Sequence, residues 1–141
     1  MAVIYSVGHS NRGGRAFIEL LQRHDVELVA DVRRRPISRF AHFSQEELTS
    51  LLHEHGIDYV HLEPLGAFRE EGYEAWMQTR TWQQAYRELV VLARRQTAAF
   101  MCAERLPQQC HRRYIARRLA MDGWRVVHLI DGSAAQATLD M

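Results

Sequence analysis

Two kinds of hydrophobic spacing alternate along the chain. Short runs of apolar, largely β-branched residues, such as residues 26–32 and 126–130, are typical of strands that are buried on both faces. Between these runs, apolar residues recur three and four positions apart, as Phe17, Leu20 and Leu21 do, which is the pattern of one helix face. The spacing predicts strands at residues 2–7, 26–32, 57–62, 97–102 and 126–130, and helices at residues 15–24, 44–56 and 73–78, from residue 81, and from about residue 109 to Gly123.

Polar residues and glycines indicate where several of these elements begin and end. Ser44 and Glu47 fit a capping box at the start of the second helix, in which each side chain accepts a hydrogen bond from the other residue's backbone N–H. Gly56 suits the left-handed position that ends a helix. Loops are predicted at residues 33–43, 63–72 and 104–109, and the polar tail from residue 131 is predicted to be frayed.

Strands that alternate with helices predict a three-layer α/β fold. The sheet is expected to be mainly parallel and five-stranded, with helices on both faces. Right-handed crossovers restrict the strand order to a few arrangements, and we expect the order 3-2-1-4-5 with a switch point between strands one and four. Because the chain contains neither a repeat nor a linker, residues 1–141 are expected to form a single domain.

Composition excludes several classes of protein. The chain is 47% hydrophobic without low-complexity tracts, which argues against disorder. No apolar run approaches the ~18 residues of a membrane span, the N-terminus does not fit a signal peptide, and two cysteines are too few for a disulfide framework. A net charge of +1 gives no general basic field for nucleic acid, although all eighteen basic residues are arginine. We expect a cytoplasmic protein with reduced thiols and no contact with membranes.

No cofactor follows from the sequence. The glycines after the first strand do not form the G-x-G-x-x-G fingerprint, and without lysine there is no P-loop. Cys102, Cys110 and His111 could supply three metal ligands, but their spacing is not one of the usual zinc patterns. We therefore assign no metal site, and the cofactor stays unknown.

Polar residues gather where three of the predicted strands end. In an open parallel sheet, ligands bind beyond the carboxyl ends of the strands, so segments far apart in sequence are expected to meet at one edge. We expect His9, Asp31 and Glu104 to border one cleft. The candidate catalytic residues are His9, Asp31, Cys102, Glu104, Cys110 and His111, and the candidate substrate-binding residues are Ser10, Arg33, Ser38, Arg39 and Arg112.

Arginine and cysteine carry the chemistry proposed for this edge. A guanidinium group binds phosphate or carboxylate bidentately, and the N-terminus of the fifth helix would add backbone donors. Cys110 lies near that helix start with Arg112 and Arg113 following, and both features lower a thiol pKa, so Cys110 is expected to be more reactive than Cys102. Because a buried carboxylate needs a partner, Arg33 or Arg39 is expected to contact Asp31 or Glu104, whereas Arg34 and Arg35 should point to solvent.

Each candidate also has a purely structural interpretation. His9 could cap the first helix or satisfy a turn, and Asp31 could accept hydrogen bonds from the next loop. The run of three arginines from Arg33 could be a solvated surface, and Cys102 could be a small hydrophobic residue of a buried strand. His53, His55, His61 and His128 are interpreted as packing or surface residues.

At these same residues the chain resembles the uncharacterised bacterial and archaeal family catalogued as domain of unknown function 488. The resemblance is carried by residues 4–11, then 31–33, Pro36, 38–39 and Phe43, then 56–57, 59–62 and 65–66, and most specifically by 101–104, Pro107 and 110–112. Ala67 and Ser44 depart from its pattern, which has a second glycine and an asparagine there. The resemblance implies a compact α/β fold and brings no established activity. The C-terminal half is more loosely similar to rhodanese-like domains, but it lacks their compact anion loop between cysteine and arginine.

Three hypotheses for function remain at this point. The first is an enzyme that acts on a small anionic molecule, nucleotide-like or phosphorylated, at the carboxyl edge of the sheet. The second is a nucleic-acid-binding or -processing module that uses the arginine-rich loop 33–39 and the helix face 112–118. The third is a non-enzymatic sensor or partner-binding domain. A homodimer stays open under each of them.

Overall fold

The structure is a computed structural model that describes residues 2–107, 110–130 and 133–136, the last range by its backbone. Two short 3-10 turns, at Ala41–Phe43 and Glu63–Leu65, accompany the strands and helices. In chain order these are β1 (Val3–Gly8), α1 (Gly14–Arg23), β2 (Leu28–Asp31), α2 (Gln45–Glu54), β3 (Asp58–His61), α3 (Tyr73–Trp76), α4 (Arg80–Arg95), β4 (Ala98–Cys102), α5 (Arg112–Met121), β5 (Arg125–Ile130) and β6 (Ser133–Gln136).

The sheet has the order β3-β2-β4-β1-β5-β6. Its first five strands are parallel, which confirms the predicted class, and β6 pairs antiparallel with β5. The predicted order 3-2-1-4-5 is wrong because β4 lies between β2 and β1. All five residues of β4 are buried, which suits a central strand that is covered on both faces.

Helices cover both faces of this sheet. On one face, α4 and α5 pack Trp82, Leu89 and Leu119 against Phe100 of β4. On the other face, α1 and α2 bury apolar residues such as Phe17, Leu21, Leu48 and Leu52 against β1, β2 and β4. The chain therefore leaves β1 and β2 toward one face and β4 toward the other. The crevice that such a reversal opens lies beside the carboxyl end of β4.

Two predicted details at the second helix have different outcomes. Gly56 has a φ of +73° and ends α2 as predicted. Ser44 is the N-cap residue, but its side chain makes no capping hydrogen bond. Its hydroxyl instead donates to the Ser38 carbonyl and accepts from the Ser38 N–H, both at 3.2 Å. The predicted capping box is wrong because the preceding loop needs these hydrogen bonds for its own backbone.

The C-terminal segment also differs from expectation. Residues 133–136 form β6 rather than a frayed tail, whereas the rest of that tail lies outside the described residues. The described part of the fifth helix begins at Arg112, and residue 109, where its start was predicted, lies outside the described residues. Within the described residues, no helix is both long enough and apolar enough to cross a membrane.

Candidate active site

A cleft of about 720 Å³ opens beside the carboxyl end of β4. The segments after β2, β3 and β4 and the first turn of α5 form its walls. Its charged lining includes four guanidinium groups and one carboxylate, those of Arg33, Arg34, Arg35, Arg113 and Glu104. Positive groups outnumber negative ones in this lining, although Arg33 is paired with the buried Asp31 and Arg34 lies 3.9 Å from Glu63.

Backbone contacts between two loops fix the floor of the cleft. The N–H groups of His9 and Ser10 donate to the carbonyls of Cys102 and Ala103 at 3.0 and 2.9 Å, which extends the pairing of β1 with β4 beyond the sheet. Only glycine fits before them, because a Cβ on Gly8 would lie 1.6 Å from the Glu104 carbonyl oxygen. The segment that follows Cys102 is therefore held closely against the end of β1.

The thiol of Cys110 lies in this cleft among several polar contacts. Its Sγ lies 3.3 Å from His111 Nδ1 and accepts a hydrogen bond from the Arg112 N–H at 3.4 Å. The neighbouring Cys102 thiol is the largest of the influences that hold the pKa of Cys110 below its ordinary value. Although burial acts in the opposite direction, Cys110 carries the thiolate of the pair.

His111 is oriented to serve as the partner of that thiolate. Its Nε2 donates to the Val32 carbonyl at 2.8 Å, which leaves Nδ1 facing Cys110 Sγ. The ring also packs beside Tyr73, with ring centroids 5.4 Å apart. A protonated His111 would have a partner for each N–H, so the pair can exist as thiolate and imidazolium.

Cys102 has the opposite character. It is the last residue of β4 and is only 1% exposed, although its surface contributes to the lining of the cleft. Burial raises the pKa of its thiol, and its Sγ lies 3.7 Å from the Glu104 carbonyl oxygen. Cys102 is therefore the neutral thiol of the pair, its S–H donates to the Glu104 carbonyl, and both thiols are reduced.

Arg112, the first residue of α5, has a buried side chain. It is 1% exposed, and one terminal nitrogen donates to the Arg105 carbonyl at 3.2 Å. Its Nε and Nη1 have no hydrogen-bond partner among the described residues. The positive charge of this side chain lowers the pKa of Cys102 and of His128, which places the guanidinium group near both.

A second polar network lies deeper at the same edge. Asp31 is fully buried, and its carboxylate accepts two hydrogen bonds from the Arg33 guanidinium, at 2.9 and 2.7 Å. The Arg33 N–H and the Tyr59 hydroxyl donate to the same carboxylate, at 3.1 and 2.5 Å. Arg33 also donates to the Phe43 carbonyl at 2.7 Å. The expected contact between Arg33 and Asp31 is thereby confirmed.

His9 belongs to this network as a neutral ring. Its Nδ1 donates to the Ser10 carbonyl at 2.9 Å, so Nε2 is left to accept from Arg33 Nη1 at 3.3 Å. Its ring stacks on Phe43 with centroids 4.5 Å apart. Burial lowers the pKa of His9 to about 4, with the charge of Arg33 acting in the same direction. His9 thus supports the loop that Arg33 crosses.

The predicted site residues fall into three groups. Arg33, Cys102, Glu104, Cys110 and His111 line the cleft. His9, Asp31 and Arg112 are buried at the same edge but do not line it, so the expectation that His9, Asp31 and Glu104 border one cleft is wrong for the first two. The structure does not bring Ser10, Ser38 and Arg39 to the cleft: Ser10 contacts Asn11, Ser38 bonds within its own loop, and the exposed Arg39 lies over the Phe40 ring.

Several lining residues were not predicted. Arg34 and Arg35 are exposed, as expected, yet they line the cleft. Ile37 and Phe68 are 75% and 89% exposed and lie at the same opening. Phe68 stands next to charged residues in the sequence, but only the fold places it in the cleft that the cysteines also line. Arg113 lines the cleft as well and could have been found from its position in the first turn of α5.

No metal centre is evident within the described part of the chain. These residues contain no cluster of three or more histidine, cysteine, aspartate or glutamate side chains that could hold a metal ion.

Comparisons with known proteins identify one family. The family model described as Domain of unknown function DUF488 matches residues 14–72 and 69–119. Both cysteines and His111 lie within the matched ranges, whereas the opening segment 4–11 precedes them. No curated protein and no solved structure matches the chain.

Proposed function

Because the chain belongs to the family described as Domain of unknown function DUF488, and that description assigns no activity, we propose a function from the chemistry of the cleft. The protein is an enzyme that acts on a small anionic substrate, and Cys110 is its nucleophile. One observation carries this proposal: the Cys110 sulfur has hydrogen bonds that favour the thiolate and lies in a cleft lined by arginine.

The roles of the other groups follow from their positions. Arg35 and Arg113 attract and orient the anionic part of the substrate, since guanidinium groups match carboxylate and phosphate geometry. Cys110 attacks the electrophilic atom, and His111 Nδ1 gives its proton to the leaving group. Arg33 is a positioning residue, because its contacts with Asp31 and Phe43 fix the wall of the cleft.

The nucleic-acid hypothesis finds less support in the geometry. Several of its arginines already have partners within the protein: Arg39 lies over Phe40, and Arg118 pairs with Asp122 at 3.1 Å and stacks on Tyr86. Arg112 is buried. These side chains are not arranged as a free basic surface that could follow a phosphate backbone.

Alkylation rates of the native protein test the proposal. We expect Cys110 to react faster than Cys102 near pH 7. We also expect the ratio of its rate with anionic iodoacetate to its rate with neutral iodoacetamide to be higher than the same ratio for the free thiol N-acetylcysteine. Arg113→Gln should lower that preference, whereas Arg95→Gln should not, because Arg95 is exposed at the end of α4, where the opposite edge of the sheet begins. Mass spectrometry locates each label.

The same experiment can overturn the proposal. Faster labelling of Cys102, or no labelling of either thiol until the protein is unfolded, would remove Cys110 as the nucleophile. A preference for iodoacetate equal to that of the free thiol would contradict the proposal that the substrate is anionic.

A further inference from the structure

We infer that the reaction at Cys110 is thiol–disulfide exchange with a low-molecular-weight anionic disulfide, and that Cys102 is the resolving thiol. The inference rests on the proposed role of Cys110 as nucleophile. It adds a second reacting residue and a substrate class to that role.

The contact between the two thiols is the first observation. Both residues line the same cleft, Cys110 packs against the apolar cluster that contains Cys102, each thiol shifts the pKa of the other, and both thiols are reduced. A nucleophile that only forms and hydrolyses a covalent adduct has no use for a second thiol beside its sulfur. A mixed disulfide on Cys110, by contrast, would have Cys102 next to the sulfur that must be attacked.

The environment of Arg112 is the second observation, and it concerns the charge on Cys102. To attack, Cys102 must lose its proton while it is 1% exposed, and a buried thiolate needs stabilisation. Arg112 is equally buried, its charge favours the Cys102 thiolate, and its Nε and Nη1 have no partner among the described residues. We assign these two donors to the negative charge that passes to Cys102 during resolution.

The shape and lining of the cleft indicate the substrate class. A volume of about 720 Å³ is much larger than a peroxide or a single oxyanion requires. A disulfide with two halves would extend from Cys110 toward the opening, where Arg35 meets a carboxylate and Ile37 and Phe68 cover the apolar chain. The excess of arginine selects anionic halves over neutral or cationic ones.

The exchange balances in two displacements. In the first, Cys110 Sγ bonds to one substrate sulfur, the substrate S–S bond breaks, and the leaving thiolate takes the proton of His111 Nδ1. In the second, the Cys102 proton passes to the now neutral His111, Cys102 Sγ bonds to Cys110 Sγ, and the mixed disulfide breaks. The second half leaves and takes that proton. The protein dithiol is oxidised by two electrons and the substrate disulfide is reduced to two thiols.

Glutathione disulfide, which is anionic at neutral pH, is the probe for the first test. Incubated with the reduced native protein, it should yield an intramolecular Cys102–Cys110 disulfide and release both halves of the probe as thiol. Cys102→Ser should stop after the first displacement and hold one glutathione on Cys110. Mass spectrometry of the intact and digested protein distinguishes these products.

A series of probes tests the substrate class. The rate of disulfide exchange should be highest with glutathione disulfide, lower with neutral hydroxyethyl disulfide and lowest with cationic cystamine. Arg35→Gln should reduce the differences between these rates, and Arg95→Gln should leave them unchanged. Equal rates for the three probes would overturn the assignment of an anionic disulfide.

The outcomes separate this inference from the function on which it rests. Suppose that Cys110 is alkylated rapidly but the wild-type protein retains glutathione on Cys110 without forming the internal disulfide. The resolving role of Cys102 would then be wrong, and the role of Cys110 as nucleophile would be retained. If Cys110 is unreactive toward alkylating agents as well, the proposed function fails. Because the wild-type products are read directly, the test holds even if Cys102→Ser does not fold.

Discussion

The Arg33 guanidinium and the Asp31 carboxylate form an ion pair from which solvent is almost excluded, with 6% and 0% of the two side chains exposed. A buried pair of this kind is costly to assemble, since both groups lose their hydration. It is strongly destabilising to break, because the remaining charge has no partner. Here the pair has a structural task, since it fixes the segment after β2 against the end of β1.

Asp31→Asn should therefore lower the free energy of unfolding by about 3–5 kcal/mol, because it leaves the Arg33 charge uncompensated. Urea denaturation measures the change. Glu19→Gln is the control: it breaks the exposed ion pair of Glu19 with Arg15 and should cost less than about 0.5 kcal/mol. Equal effects of the two substitutions would contradict the role given to the buried pair.

Two buried histidines make the stability depend on pH. Burial lowers the pKa of His9 and of His128 from 6.5 to about 4, so between these values the unfolded chain binds protons that the folded protein does not. The free energy of unfolding should be largest above pH 6.5 and should fall by about 1–2 kcal/mol for each histidine between pH 7 and pH 5. Urea midpoints across this range measure the loss. His9→Gln should reduce the pH dependence, and an unchanged dependence would refute the assignment.

At the scale of elements, the carboxyl ends of β1 and β4 act as one unit. Gly8 allows the loop after β1 to approach the Glu104 carbonyl, and the hydrogen bonds of His9 and Ser10 hold that loop to residues 102 and 103. The position of the cysteines thus depends on a strand to which neither belongs.

Gly8→Ala should separate these two loops. Its Cβ would overlap a backbone atom that cannot rotate away, so we expect a loss of about 3 kcal/mol in the free energy of unfolding and slower alkylation of Cys110. Gly13→Ala, later in the same loop, is the matched control, because its Cβ would meet nothing within 4 Å. It should change stability by less than about 0.5 kcal/mol. Normal alkylation in a folded Gly8→Ala protein would contradict the coupling of the loops.

At the scale of the molecule, the sequence predicted the five parallel strands, the main helices and the α/β class, but neither β6 nor the strand order. Hydrophobic spacing reports which residues are buried, and it carries no information about which strand lies next to which. β4 lies between β2 and β1, and all five of its residues are buried.

The candidate site was predicted in part for a related reason. Local cues, a helix start and a strand end, indicated Cys110, His111 and the contact of Arg33 with Asp31. Contacts that depend on the relation of two strands were missed. Tyr59 reaches Asp31 only because β3 pairs with β2 in the register that sets Val29 against Tyr59, so that the hydroxyl extends along the neighbouring strand.

The position of β1 between β4 and β5 has a consequence for the kinetics of folding. The two strands that pair with β1 come much later in the chain. β4 is formed by residues 98–102 and β5 by residues 125–130. Pairing between segments so distant along the chain raises the contact order, and we expect folding slower than that of a helical bundle of equal length. During synthesis, Ile4 and Val7 have no neighbouring strand until β4 has been made, and only one until β5 has been made, so we expect the chain to be most exposed to aggregation in this interval.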